Sequence, residues 1–107
     1  MANWLDTPGQ ILPGNESVAP GALRCFGYQQ ITSLSAATSL SVPTGALIAL
    51  IQPETADVRW RDDGTAPTAS VGMYLGQGAT LPYTGNLNAV QFIQVSAGAK
   101  LNISYYG

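Results

Sequence analysis

The sequence predicts an all-β protein: an antiparallel two-sheet sandwich of jelly-roll or Greek-key type, with an extended N-terminal arm. Three observations point there. From residue 25 onward, short runs of β-branched and aromatic residues are bounded by Gly, Pro, Asn and Ser at intervals of about 8–12 residues. Several of these runs alternate apolar and polar residues with period two, the signature of a strand with one buried face. And 107 residues are one domain's worth of chain, burying about 65% of the unfolded surface, enough for a single core without disulfides or metal.

The chain divides at residue 24. Residues 1–24 contain Pro8-Gly9, Pro13-Gly14 and Pro20-Gly21, which remove backbone donors and add freedom, so no regular element is expected there. The same stretch carries Trp4, Leu5, Ile11 and Leu12. A purely solvated tail has no use for that apolar surface, so the segment reads as an arm that orders against a partner. Residues 25–107 form the sandwich domain. Strands are expected near 26–32, 38–42, 47–52, 57–61, 70–75, 80–83, 90–95 and 101–105. Val58 and Trp60 share a face opposite Arg59 and Arg61; Val71, Met73 and Leu75 alternate with Gly72 and Tyr74; Leu101, Ile103 and Tyr105 alternate with Asn102 and Ser104. Ala46–Ile51 does not alternate; with Pro43 and Pro53 flanking it, it reads as a central strand buried on both faces. Asp63-Gly64, Gly76-Gln77-Gly78, Gly85-Asn86 and Ala97-Gly98 supply turn chemistry. Trp60 is expected as a core anchor, and Cys25 as a small buried hydrophobe beside Phe26.

Composition narrows the function. Charged residues are 9% of the chain and histidine is absent, against about 25% charge in an average soluble domain. Without imidazole there is no Ser–His or Cys–His pair and no general base poised near neutral pH. Zinc needs more His and Cys than one cysteine provides. Asp62-Asp63 lacks the spaced oxygen ligands of a calcium loop and reads as a solvated turn. Nothing sets two of Glu54, Asp57, Asp62 and Asp63 across a cleft for glycoside cleavage. Gly76-Gln77-Gly78 has no following helix and no nearby Lys, so it is not a phosphate cradle. The expectation is a non-enzymatic protein without cofactor or metal. Four basic residues and a net charge of -2 argue against nucleic acid as a partner. No apolar run reaches the length of a membrane helix, and the start lacks the basic and apolar regions of a secretory signal.

The placement of charge says more than its amount. None lies between Cys25 and Pro53 or between Gly64 and Ala99, while half of all the charged residues fall within Asp57–Asp63. Isolated sheets guard their edges with charge; a chain that leaves most of its length neutral is expected to have those edges covered by copies of itself or by a partner. Because interface hot spots favour Arg, Trp and Tyr, Arg59 and Arg61 are the first candidates to present planar forks to a partner's carboxylates.

The stretch Asp57-Val-Arg-Trp-Arg-Asp-Asp-Gly-Thr-Ala-Pro-Thr-Ala-Ser-Val-Gly-Met-Tyr-Leu, followed by Gly78-Ala-Thr-Leu-Pro-Tyr-Thr-Gly, Val90-Gln-Phe-Ile-Gln-Val and Lys100-Leu-Asn-Ile-Ser-Tyr-Tyr, resembles small virion proteins of tailed bacteriophages encoded among the head genes. The resemblance covers roughly residues 45–106. It implies a non-enzymatic β-sandwich made in the bacterial cytoplasm and carried on the virion as a capsid decoration, or cement, protein. Its partner would be the major capsid protein or another virion protein, and it would self-associate as a dimer or trimer matching the symmetry of its site. The arm would be the tether, with Trp4, Leu5, Ile11 and Leu12 lying across a coat subunit. Two alternatives remain: a sugar-binding module of a phage tail or cell surface, with Tyr74, Tyr83, Tyr105 and Tyr106 as stacking platforms, and a head–tail connector or tail component.

Overall fold

The computed structural model describes residues 23–107, and every regular element among them is a strand: β1 (Cys25–Ile31), β2 (Thr38–Ser39), β3 (Ile48–Glu54), β4 (Val58–Arg61), β5 (Met73–Leu75), β6 (Leu81–Tyr83), β7 (Gln91–Gln94) and β8 (Lys100–Tyr106). All pairings are antiparallel. One sheet has the order β1-β8-β3-β6 and the other β2-β7-β4-β5. The two sheets share one core, to which both contribute buried side chains.

β8 organises the first sheet because it has β1 on one side and β3 on the other. Its period-two pattern is fully expressed: Leu101, Ile103 and Tyr105 are buried, while Asn102, Ser104 and Tyr106 face away. The register lines the inner face in rows. Tyr105 sits between Gly27 and Ala49, and Ala49 in turn pairs with Tyr83. Large rings thus alternate with the smallest residues, which lets two tyrosines share one row without overpacking. The next row is Gln29, Ile103, Ile51 and Leu81. Burial of the Tyr105 ring leaves its hydroxyl to be satisfied internally. It donates to Gln29 Oε1 at 2.7 Å, and the same oxygen accepts from Ser41 N–H at 3.1 Å. The opposite sheet answers with Val58, Phe92 and Leu75. Leu34, Leu40, Leu87 and Val90 close the core from the connections.

Several expectations are corrected. β3 is not buried on both faces: Ala49, Ile51 and Pro53 point inward, while Leu50, Gln52 and Glu54 are exposed. It also runs through Pro53, which lies beyond the Ala49–Ile51 span of the β6 ladder, where no neighbouring strand needs the missing N–H. β2 keeps only two residues of the expected 38–42 run, and β5 only the last three of 70–75. In β5 only Leu75 is buried; Val71 and Met73 are exposed by 54% and 60%. Cys25 opens an edge strand and is exposed. Trp60 packs against the core from its rim and is only half-buried.

Candidate functional site

The segment holding half the charge is built around β4, which lies between β7 and β5. Val58 points into the core with no exposure. Trp60, two residues on, reaches the end of the same inner face and meets Tyr83 edge-on, with ring centroids 5.7 Å apart and an interplanar angle of 74°. The Tyr83 hydroxyl donates to Asp62 Oδ2 at 2.5 Å. Burial, reinforced by that carboxylate, pushes the Tyr83 phenol up to about 12, so it stays a donor.

Arg59 and Arg61 stand together on the outer face, as alternation requires. Both bond within the chain. Arg59 donates from Nε to the Ala69 carbonyl at 3.2 Å and from Nη1 to the Gly72 carbonyl at 2.9 Å. Its guanidinium also lies 5.2 Å from the centroid of the Tyr74 ring. Tyr74 sits opposite Arg59 in the β4–β5 ladder, and its hydroxyl donates to Asp57 Oδ2. Asp57 Oδ1 accepts the Gln77 N–H at 2.7 Å. Those two donors, the Tyr74 hydroxyl first, hold the Asp57 carboxyl below its ordinary range. Arg61 makes a two-pronged pair with Asp63, Nε to Oδ1 at 3.0 Å and Nη2 to Oδ2 at 2.5 Å. Asp63 also accepts the Thr65 N–H at 3.3 Å.

These bonds fix the shape of the 62–72 connection between β4 and β5. Thr68 continues the work, its hydroxyl accepting the N–H groups of Ser70 and Val71 and its backbone exchanging bonds with Val71. Gly72 is required where the connection returns: its φ is +145°, and a Cβ there would stand 3.2 Å from Arg59 Cβ, Pro67 Cβ and the Trp60 carbonyl. The result is an open hollow of about 400 Å³ lined by Arg61, Asp62, Asp63, Val71, Gly72 and Met73. On its charged wall Arg61 is paired with Asp63, while Asp62 accepts the Tyr83 hydroxyl and keeps one net negative charge there. Its apolar wall, Val71 and Met73, is left in water.

Arg59 and Arg61 therefore lie together on the outer face as expected, and the bonds seen for them are to their own chain. Trp4, Leu5, Ile11 and Leu12 lie outside the described residues. Of the four tyrosines considered as sugar platforms, Tyr83 and Tyr105 are buried and excluded by that burial. Tyr106 is half-buried, and Tyr74 carries Arg59 on its ring. The most exposed tyrosine is one the sequence did not single out: Tyr28, 65% exposed on β1, whose hydroxyl donates to Asn102 Oδ1 at 2.6 Å. With Leu50, Gln52, Thr80, Asn102 and Ser104 it lines a second, smaller trough of about 180 Å³ on the outer face of the first sheet. Exposure of Leu50 had a signal in the sequence, since it shares parity with Gln52 and Glu54; exposure of Val71 and Met73 had none. Among the described residues no three His, Cys, Asp or Glu side chains gather as metal ligands would. In comparisons with protein-family models, curated proteins and solved structures, this chain matches none of them.

Proposed function

We propose that the chain is a structural virion protein that binds the assembled capsid of a tailed phage and stabilises it as a decoration, or cement, protein. The observation that carries the reading is the hollow beside β4 and β5. Its charged groups bond within the chain, Arg61 to Asp63 and Asp62 to the Tyr83 hydroxyl, and its exposed apolar surface is the pair Val71 and Met73. Exposed apolar side chains beside a polar wall suit a protein contact. A contact of this kind, repeated over a lattice, rests on shape and apolar surface more than on charge. The strand orders β1-β8-β3-β6 and β2-β7-β4-β5 support the jelly-roll form of the sandwich: β8 inserts between β1 and β3, and β7 between β2 and β4. In this reading the partner is the major capsid protein, the arm with Trp4, Leu5, Ile11 and Leu12 is the tether, and copies self-associate on the particle surface. Neither catalysis nor a cofactor belongs to it.

A sugar-binding module is the second reading. It is favoured by the exposed Tyr28 ring beside the carboxamides of Gln52 and Asn102, which suit the apolar faces and hydroxyls of a pyranose. Quantitative mass spectrometry of purified virions separates the two. A decoration protein is present in hundreds of copies, and Val71→Asp with Met73→Asp removes it from the particle while the β circular dichroism persists. Tens of copies or fewer, or full occupancy by the double variant, would overturn the decoration reading.

A further inference from the structure

We propose that β1 is a self-association edge, along which two copies of this chain pair β1 antiparallel to β1 and join their first sheets into one. The four sheet edges are β1, β6, β2 and β5, and they are treated very differently. β2 has two residues and β5 three; β6 has three, with Pro82 in the middle. Short edges and edge prolines are the ordinary means of stopping a sheet from growing. β1 has seven residues, Cys-Phe-Gly-Tyr-Gln-Gln-Ile, with neither proline nor charge. Among the described residues it has a neighbour, β8, on one side only. Three edges are closed, and among the described residues the fourth is open.

The lengths also identify the occupant. In an assembly of identical chains, only β1 of another copy offers β1 an open edge longer than three residues. A backbone edge is self-complementary, since donors and acceptors alternate along it, and the absence of charge in β1 means that no like charges meet across a twofold axis. Such a pairing closes on itself as a dimer instead of propagating.

The pleat then restricts the register. Gly27, Gln29 and Ile31 point to the core side, and Tyr28 and Gln30 point outward. Residues opposite one another must share a face, so the axis passes through a residue and not between two. The pairing with β8 is irregular between Cys25 and Gly27 and regular from there to Ile31. Centring on Gln29 uses that whole regular run. It places Tyr28 of one copy opposite Gln30 of the other, and Ile31 opposite Gly27. The exposed Tyr28 ring thereby gains a neighbour on the outer face.

This names a surface for the self-association proposed above, and it stands whether or not the protein meets a capsid. Light scattering on the purified full chain at about 100 μM should give a dimer mass, and Gln30→Lys should weaken the dimer by about tenfold or more with unchanged circular dichroism. With Cys25→Ser, the pair Tyr28→Cys and Gln30→Cys should oxidise to a covalent dimer, because directly opposed Cβ atoms lie about 4.5–5.5 Å apart. A monomeric full chain overturns the proposal. A chain that dimerises only after deletion of residues 2–20 also overturns it, assigning the edge to the protein's own preceding segment. A dimer insensitive to Gln30→Lys and unable to form the cross-link places the interface elsewhere. None of these results bears on virion copy number, so edge pairing and particle binding can fail separately.

Discussion

Replacing Arg59 by Ala tests whether the charge in this protein builds its own surface or serves a partner. The substitution removes two bonds to backbone carbonyls and one stacked contact. The Nη1–Gly72 bond, 2.9 Å and partly buried, contributes about 1–1.5 kcal/mol net, and the exposed Nε–Ala69 bond at 3.2 Å about 0.5 kcal/mol. The guanidinium over Tyr74 adds about 0.5–1 kcal/mol. The freed carbonyls lie near solvent and rehydrate, so no orphan penalty is added. The sum is about 2–3 kcal/mol. With a urea slope of about 1–1.5 kcal/mol per molar for a domain of this size, the unfolding midpoint falls by about 2 M. Arg59→Lys keeps the charge but cannot reach both carbonyls from one ammonium, so it recovers less than half of the loss. Amide exchange at Val71, whose N–H is held by Thr68, should accelerate in both variants. A midpoint shift below about 0.5 M together with unchanged exchange at Val71 would refute the reasoning.

Two further outcomes follow from the same geometry. Thr55 adopts φ +80°, a left-handed conformation that is costly for a β-branched residue and tolerated by Asn; Thr55→Asn should raise stability by about 1 kcal/mol, read as a higher melting temperature, and a lower one would show that the threonine earns its place through other contacts. The pH profile should fall on both sides. Asp57 and Asp63 are held below their ordinary value of 3.8, by the Tyr74 hydroxyl and by Arg61 respectively, so the stability they lend is complete above about pH 4 and is lost as pH drops through their folded values. Tyr83 and Tyr105 are pushed up to about 12 from 10, each chiefly by burial; their contribution is complete below pH 10 and disappears between 10 and 12. Denaturant midpoints at neutral, acid and alkaline pH check both limbs, and equal midpoints at neutral and acid pH would remove the acid limb.

The succession of strands along the chain was legible where turn chemistry separates them, as at Asp63-Gly64, Gly76-Gln77-Gly78 and Ala97-Gly98; their order within each sheet was not. β8 was legible residue by residue, since Leu101, Ile103 and Tyr105 alternate without interruption. β3 was misread because Ala46–Ile51 is apolar throughout, and the polar partners of Leu50 on the exposed face begin only at Gln52. The site was harder. The place of Arg59 and Arg61 on one face followed from alternation, but their partners are carbonyls and a carboxylate delivered by the folding of the 62–72 connection, and no spacing rule encodes them. Val71 and Met73 look like the inner face of a strand; Val71 precedes β5, which begins only at Met73, and Met73 sits opposite Trp60 at the open end of the ladder, where the core no longer covers it.

The position of β8 also governs the order of events while the protein is made. Cys25 and Ile48 both find their partner at Tyr106, so β1 and β3 have no direct pairing with each other and must wait for the last strand. At about 5–20 residues per second, some 75 residues separate β1 from β8 by about 4–15 s of synthesis. Through that interval β1 lacks its β8 neighbour, and its neutral sequence carries nothing to repel another nascent chain. Pairings this distant in sequence place the domain among slow folders, in the range of about milliseconds to seconds once the chain is complete. Expression yield should therefore depend more on how quickly β8 docks than on the final stability of the fold, and substitutions in Leu101, Ile103 or Tyr105 should send the protein into aggregates sooner than equally destabilising changes in the second sheet.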